Sequence, residues 1–170
     1  MNIDSEFYII SNNCMASHIY NQMKKQFNLP FINCVFLDPD FNYIVNNLEN
    51  INFQKYSITQ DTKKYLLNQT AVYPKVLIDD KLSCFFPHDV MPSNFEQKYK
   101  RRLDRMKQPN YSNTIFIYHK SIFSDGSILP NQKIIFTDKI IPEKIFNQNI
   151  LYATLVSKFI LPYLKSHVFN

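Results

Sequence analysis

The stretch from Glu6 to Tyr20, EFYIISNNCMASHIY, contains the sharpest change of pattern in the chain. Its apolar run Phe7 to Ile10 predicts a buried strand that stops at the polar residues Ser11 to Cys14. Behind these residues a helical spacing follows, at Met15, His18, Ile19, Gln22 and Met23. We therefore predict a strand, a short loop and a helix. In open α/β sheets such a loop lies at the carboxyl end of a strand, where ligands bind.

The remaining chain predicts more elements of both kinds. Further strands are indicated by apolar runs at 31–37, 53–59, 72–78, 82–86, 113–118 and 133–137. Helices are predicted to begin at an Asp40 cap, at Asp61, behind a Ser93 cap with an end near Met106, and at Pro142. The Asp79-Asp80-Lys81 stretch predicts a hairpin turn. We predict an α/β fold with a mostly parallel sheet flanked by helices, flavodoxin- or Rossmann-like, with an inserted β-hairpin.

Length and composition narrow the class of protein. A chain of 170 residues that is 45% apolar and 15% aromatic predicts one folded domain over residues 1–170, with room for a small subdomain around residues 72–110. The single glycine, Gly126, excludes the P-loop and the dinucleotide fingerprint, since both need several glycines. No secretion signal or membrane-spanning run is evident, which predicts a cytoplasmic protein. The cysteines at positions 14, 34 and 84 predict reduced thiols.

Much of the net charge of +5 belongs to one basic cluster, formed by Lys98, Lys100, Arg101, Arg102, Arg105 and Lys107. This cluster lies on the predicted helix 94–106 and indicates either an anion site or a solvated helix face. Because a planar guanidinium binds phosphate or carboxylate through two hydrogen bonds, we predict that Arg101, Arg102 or Arg105 contacts an anionic ligand. Nucleic acid is not an expected partner, because the aromatic residues occupy core-like runs and do not alternate with basic residues.

Cys14 and His88 are the candidate catalytic residues. A thiol near a helix N-terminus can become a reactive thiolate, although packing in the core is the outcome that we expect for Cys14. His88 follows the hairpin and has Asp89 beside it, so it could serve as a general base or simply face solvent. Asn12 and Asn13 could donate hydrogen bonds to a substrate or could satisfy the loop locally.

Several carboxylates lie at the ends of predicted elements. Asp79, Asp80 and Asp138 could hold a metal ion or sugar hydroxyls, but turn formation explains the first two equally well. We include Asp80 among the candidate substrate-binding residues. The Asp38-Pro39-Asp40 stretch looks like the metal-binding pair of nucleotide-sugar glycosyltransferases, although helix capping explains it better. No residue pattern identifies a cofactor or a metal site.

The order and spacing of a set of residues resemble a bacterial family called domain of unknown function 1919. The set consists of Ile10 to Cys14, Pro30-Phe31, Phe36-Leu37, Asp40-Phe41, Tyr73-Pro74, Leu77, Asp79-Asp80, Phe86, His88, Lys100 to Arg102, Arg105, Asn113 to Ile117 and Ile135 to Thr137. The chain departs from the family pattern at Met15 to Ser17 and at Pro87 to Asp89. The resemblance covers most of the chain. It implies a two-part α/β structure and an association with exopolysaccharide and capsule biosynthesis, but no activity.

Together these features predict a transferase of a glycosyl or acyl group in bacterial surface polysaccharide biosynthesis. Ser11, Asn12, Asn13, Cys14 and His88 would form its site, and the basic helix would hold the anionic group of a small-molecule or sugar donor. The alternative is a non-catalytic binding or scaffold protein of the same machinery. Its basic helix would contact an acidic partner or a membrane surface peripherally.

Overall fold

The structure is a computed structural model that describes residues 7–61, 73–89, 94–119 and 134–137. In chain order its elements are β1 (Tyr8–Ser11), α1 (Met15–Gln22), α2 (Asp38–Asn47) with a 3-10 turn (Leu48–Asn50), β2 (Tyr56–Asp61), β3 (Tyr73–Ile78), β4 (Leu82–Phe85), α3 (Phe95–Leu103), β5 (Thr114–His119) and β6 (Ile134–Thr137). The predicted α/β class is confirmed. The helices predicted after Asp61 and from Pro142, and the Ser93 cap, lie outside the described residues.

The six described strands form two sheets of three strands each. One sheet is parallel, in the order β1-β5-β6, and the other is antiparallel, in the order β2-β3-β4. The prediction of one mostly parallel sheet with an inserted hairpin therefore needs correction. The β3–β4 hairpin also pairs with β2, along the full length of β3, so it belongs to a separate antiparallel sheet that lies in the chain between β1 and β5 of the parallel sheet.

The second predicted strand, at residues 31–37, is wrong. This segment forms a turn, and Asn33 has a φ of 64°, a left-handed conformation that interrupts an extended strand. Only Val35 bridges to Phe85 here, with backbone hydrogen bonds of 2.7 and 3.0 Å. The apolar residues Phe31, Ile32, Cys34 and Phe36 are nevertheless buried. The apolar run therefore indicates that these side chains are buried, and it does not indicate an extended strand paired in a sheet.

One hydrophobic core joins residues of both sheets and of all three described helices. On the parallel sheet, the Phe41 ring of α2 packs 6.3 Å from Phe116 and 5.8 Å from Tyr118, measured between ring centres. On the antiparallel sheet, Tyr99 of α3 packs 5.0 Å from Tyr56 and 6.1 Å from Phe86. Such aromatic pairs stabilise by about 0.5–1.5 kcal/mol beyond their burial.

Asp40 does not cap its helix as predicted. The helix α2 begins at Asp38, because Pro39 has a φ suited to the first helical turn. Asp40 therefore lies inside that turn, and its Oδ1 accepts a hydrogen bond of 2.8 Å from the backbone N–H of Ser83. The carboxylate thus ties α2 to the β3–β4 hairpin. No helix within the described residues is both long and apolar enough to cross a bilayer.

Candidate functional site

The loop between β1 and α1 lies at the carboxyl end of the parallel sheet, as predicted. The Asn12 N–H donates to the Ile117 carbonyl oxygen at 3.2 Å, which continues the pairing of β1 with β5. The Asn12 carbonyl oxygen in turn accepts a hydrogen bond of 3.0 Å from the Phe36 N–H. The backbone of the loop is therefore fixed by neighbouring segments on both sides.

Asn13 is held by its side-chain oxygen. Its Oδ1 accepts hydrogen bonds from Ser11 Oγ and from the Met15 N–H, both at 2.9 Å, and the Asn13 N–H donates to Ser11 Oγ at 3.3 Å. The Asn13 side chain thus satisfies the start of α1, whereas the Cys14 side chain makes no capping bond. The other half of the amide, Nδ2, is buried and has no hydrogen-bond partner within the described part of the chain. The loop therefore orients a donor that a ligand could use.

Cys14 is buried, with 5% of its surface exposed. Burial raises the pKa of its thiol to about 12, and the negative charge of Asp89 adds to this effect. A thiol with such a pKa remains protonated at neutral pH and is a poor nucleophile. This environment favours the packing role that we expect for Cys14, while its catalytic role stays a prediction.

The segment that follows β4 brings His88 and Asp89 to α1. His88 is exposed, whereas Asp89 is buried and its Oδ1 accepts a hydrogen bond of 2.5 Å from Lys98 Nζ. Burial lowers the pKa of His18, and the charge of nearby His88 lowers it further. Since Asp89 also acts on the thiol of Cys14, the residue just before α1, this segment lies near the start of that helix. The fold thus brings together two regions that are distant in the sequence.

Two of the three candidate arginines, one on the basic helix α3 and one just after it, are turned toward the protein itself. The Arg102 Nη1 donates to the Ile32 carbonyl oxygen at 3.3 Å, and its guanidinium carbon lies 5.6 Å from the centre of the Phe27 ring. The Arg105 Nη2 donates to the Phe27 carbonyl oxygen at 3.0 Å. Burial is the main cause that lowers the pKa of Arg102. Arg101 is exposed, so it is the candidate arginine that faces solvent.

Asp80 is not brought near His88. It lies at the tip of the hairpin, exposed and ion-paired with Lys55, at the opposite end of β4 from His88. Asp79 and Asp80 have φ values of 51° and 57°, which fit their predicted role in the turn. Asp138 and His167 lie outside the described residues, as does the side chain of His119.

A contact between two polar residues, Asp38 and Tyr118, was not predicted from the sequence, although Asp38 was considered there together with Asp40 as a possible metal-binding pair. Asp38 is buried, and the Tyr118 hydroxyl donates toward its two carboxylate oxygens, each at 3.4 Å. Asp40 points instead to Ser83, so the two carboxylates of the Asp38-Pro39-Asp40 stretch have different partners. The described residues contain no group of three or more metal-ligating side chains. Tyr118 could have been identified as a candidate from the sequence, because it lies at the end of a predicted strand.

His18 was considered only in passing, although a signal for it was present. It follows Cys14 by four residues, a spacing that places the two side chains on one face of a helix. The charge of Asp89 acts on Cys14, and that of His88 acts on His18.

These features define an α/β protein with a polar strand-to-helix loop at the carboxyl edge of a parallel sheet, followed by a helix that carries His18. The chain matches the family model described as Domain of unknown function (DUF1919) over residues 2–161. It belongs to this family, which confirms the resemblance noted in the sequence. A search of curated proteins finds no match.

Proposed function

We propose that this protein transfers a glycosyl or acyl group from a donor with an anionic group to the hydroxyl of an acceptor. The observation that carries the proposal is that the charge of Asp89 acts on Cys14 at the end of the loop, while the neighbouring His88 acts on His18, one turn further along in α1. The loop contains a buried hydrogen-bond donor, Asn13 Nδ2, and the segment after β4 contains an exposed imidazole, His88. A donor and a base at the end of a parallel strand are suited to group transfer.

In the proposed reaction His88 is the general base. Its neutral imidazole takes the proton of the acceptor hydroxyl, and the hydroxyl oxygen forms a bond to the reacting carbon of the donor. The bond from that carbon to the leaving group breaks, and the leaving group departs with the electron pair. Asn13 Nδ2 donates a hydrogen bond to the oxygen on which negative charge develops.

Cys14 is not a nucleophile in this scheme. Its thiol is buried with a pKa of about 12, so an attack by thiolate would first require an unfavourable ionisation. We therefore favour direct transfer from donor to acceptor, without a covalent intermediate on the protein. Ser11 and Asn12 support the loop, and Ser11 does so through its bond to Asn13.

The anionic group of the donor would lie against α3. Arg101 is the exposed arginine of that helix, and a guanidinium binds phosphate or carboxylate through paired hydrogen bonds. The proposal also includes a surface-polysaccharide acceptor, a cytoplasmic setting and a flavodoxin- or Rossmann-like arrangement of the parallel sheet. The polysaccharide acceptor rests on the resemblance described for the sequence.

A ligand screen by thermal unfolding tests donor binding. The full chain would be heated with nucleotide sugars, acyl-coenzyme A and polysaccharide fragments, because a ligand at about 100 times its dissociation constant adds about 2.7 kcal/mol of stability. Any donor that shifts the transition would then be incubated with acceptors, and products would be identified by mass spectrometry. The proposal predicts both a shift and a product.

Two variants connect the product to the site. His88→Gln should bind donor but form product at a rate lower by about 10²–10⁴-fold, the range for loss of a general base. Lys81→Gln, at an exposed position in the hairpin turn, is the matched control and should behave like the wild type. Donor binding without turnover in the wild-type protein would favour a non-catalytic binding or scaffold protein that uses the exposed residues of α3. Full activity of His88→Gln would exclude this residue as the base.

A further inference from the structure

Two cysteines flank the isolated bridge between the segment after α1 and β4. In this bridge Val35 and Phe85 exchange both backbone hydrogen bonds, at 2.7 and 3.0 Å. The residues next to an antiparallel bridge point to the side opposite that of the bridged residues. Cys34 and Cys84 therefore lie diagonally across the bridge on one side. This side is buried, since neither cysteine is exposed, whereas Val35 and Phe85 are partly exposed.

Both cysteines are free thiols that are connected by a hydrogen bond. Cys34 Sγ also donates to the carbonyl oxygen of Phe31 at 2.8 Å. Residues placed diagonally across a pair of strands have Cα atoms about 7–8 Å apart, whereas a disulfide requires about 4.4–6.8 Å. A bond between the two sulfurs therefore requires residues 31–37 to move toward the hairpin by about 1 Å.

Residues 31–37 are attached to the hairpin in a way that permits such a movement. Within the described residues the bridge consists of two hydrogen bonds and does not extend into a ladder. Opening two backbone hydrogen bonds costs less than unfolding the domain, so a segment of this kind opens locally in the native protein. The same segment contains Phe36, whose N–H donates to the Asn12 carbonyl oxygen at 3.0 Å. A movement of Cys34 is therefore transmitted to the backbone of the candidate site.

The hydroxyl of Tyr99 is buried near the two thiols. Tyr99 has 1% of its surface exposed, and its hydroxyl has no hydrogen-bond partner within the described part of the chain. Its ring packs 6.1 Å from Phe86, the residue directly opposite Cys34 across the bridge. Burial raises the pKa of this hydroxyl, and the charges of Cys84 and Cys34 raise it further. The hydroxyl thus keeps its proton and can donate a hydrogen bond to a sulfur that becomes negative.

We propose that Cys34 and Cys84 form a redox switch, in which hydrogen peroxide oxidises them to a disulfide that shifts residues 31–37 and the Ser11–Cys14 loop. One sulfur gives up its proton and attacks a peroxide oxygen. The O–O bond breaks, and a sulfenic acid and one water molecule form. The second sulfur then attacks the sulfenic sulfur, the S–O bond breaks, and the released hydroxide leaves with the thiol proton as a second water molecule. The switch does not depend on which reaction the site catalyses.

The test is oxidation of the full chain by hydrogen peroxide at neutral pH without denaturant. Peptide mass spectrometry without reduction should identify a peptide linked through Cys34 and Cys84, and dithiothreitol should release it. Cys14→Ala is the matched control, because it removes the remaining cysteine, and it should form the same disulfide. Cys84→Ala should form none.

Nuclear magnetic resonance of the oxidised wild-type protein measures the movement. The amide signals of Asn12 and Phe36 should shift on oxidation and return on reduction. The amide signal of Ser112, which precedes β5 at the other end of the parallel sheet, should stay in place.

Tyr99→Phe tests the hydroxyl. Because the substitution removes a buried polar group without a partner, thermal stability should equal or exceed that of the wild type. Disulfide formation should nevertheless be slower by at least about threefold, since the negative sulfur loses a hydrogen-bond donor. Oxidation of Tyr99→Phe at the wild-type rate would exclude this role of the hydroxyl.

Several results would overturn the switch. These are the absence of a linked peptide in the folded wild-type protein, a disulfide that includes Cys14, and a linked peptide without any shift of the Asn12 and Phe36 signals. Oxidation that begins only at urea concentrations that unfold the chain would also reject it, because the bridge would then not open locally. These measurements use the wild-type protein, so they do not depend on the folding of any variant.

Discussion

The guanidinium of Arg102 donates a hydrogen bond from Nη1 to the carbonyl oxygen of Ile32, at 3.3 Å. Together with Arg105, which binds the Phe27 carbonyl oxygen, it holds the segment between α1 and α2 against α3. The same segment contains Phe36, whose N–H donates to the carbonyl oxygen of Asn12. The buried arginine of α3 therefore supports the candidate site through the backbone of an intervening segment.

Replacement of Arg102 should destabilise the fold. Arg102→Ala removes a hydrogen bond from a charged group, which contributes about 1.5–3 kcal/mol, and the stacking on Phe27. We expect a loss of about 2–4 kcal/mol in the free energy of unfolding, measured by denaturation with urea.

Arg101→Ala is the matched control for this prediction. Arg101 is exposed on the same helix, so its removal should change stability by less than about 0.5 kcal/mol. Equal effects of the two substitutions would mean that the contact with Ile32 contributes nothing measurable.

The contrast between these two neighbours illustrates what the sequence could predict. The spacing of basic residues located the helix, but six similar side chains in one cluster do not reveal which of them meets a carbonyl group. The choice depends on the segment after α1, which was itself mispredicted as a strand. Its apolar residues are buried as expected. The left-handed conformation of Asn33 was not predicted, because the residue at this position is not a glycine.

The sequence predicted strand pairing correctly where the two paired strands are close together in the chain. The turn residues Asp79 and Asp80 correctly identified the hairpin, because its strands are joined by three residues. The pairing of β2 with β3 could not be derived from the sequence, because residues 62–72 separate these two strands in the chain. For the site, the loop after β1 was evident from sequence, whereas its proximity to His88 and Asp89 depends on how β4 packs.

The hairpin turn provides a second prediction. Asp79 has a φ of 51°, a left-handed conformation that costs an ordinary residue about 1–2 kcal/mol and glycine almost nothing. Its carboxylate is not the one that contacts Lys55, which pairs with Asp80, although the charge of Asp79 also acts on Lys55. Asp79→Gly should therefore match or exceed wild-type stability, while Asp79→Ala should lower it by about 1 kcal/mol, as measured by thermal unfolding. The opposite order would show that the Asp79 side chain stabilises the turn by bonds of its own.

Asp40 should make stability depend on pH. Burial raises the pKa of its carboxyl above the usual 3.8, although the Ser83 N–H and Lys75 oppose the shift. In the range above 3.8 the native state thus binds more protons at this position than the unfolded state does. The contribution of Asp40 to stability is fully present below 3.8 and is lost as pH rises through the folded pKa.

The variant Asp40→Asn isolates this effect. Asparagine keeps an oxygen that can accept from Ser83 but does not titrate. Its stability relative to the wild type should rise with pH from about pH 4 to neutral, when unfolding in urea is measured at several pH values. A difference that stays constant across this range would contradict a raised pKa for Asp40.

The last prediction separates a nucleophilic Cys14 from one that packs in the core. With 5% exposure and a pKa of about 12, the thiol should react slowly with an alkylating reagent near neutral pH. Cys34 and Cys84 are fully buried, so the modified site must be identified by peptide mass spectrometry. Slow modification in the folded protein and rapid modification in urea are the expected results.

Serine and alanine substitutions complete the comparison. Cys14→Ser places a hydroxyl in a buried position and should lower stability by about 1–3 kcal/mol unless the hydroxyl finds a partner, whereas Cys14→Ala should be milder. Once a donor and acceptor are known, Cys14→Ala should retain turnover, because the proposed transfer uses His88 and Asn13 and no thiolate. Rapid alkylation of folded Cys14, or loss of turnover in a folded Cys14→Ala variant, would instead assign the covalent step to the thiol, and the single-step transfer would have to be abandoned.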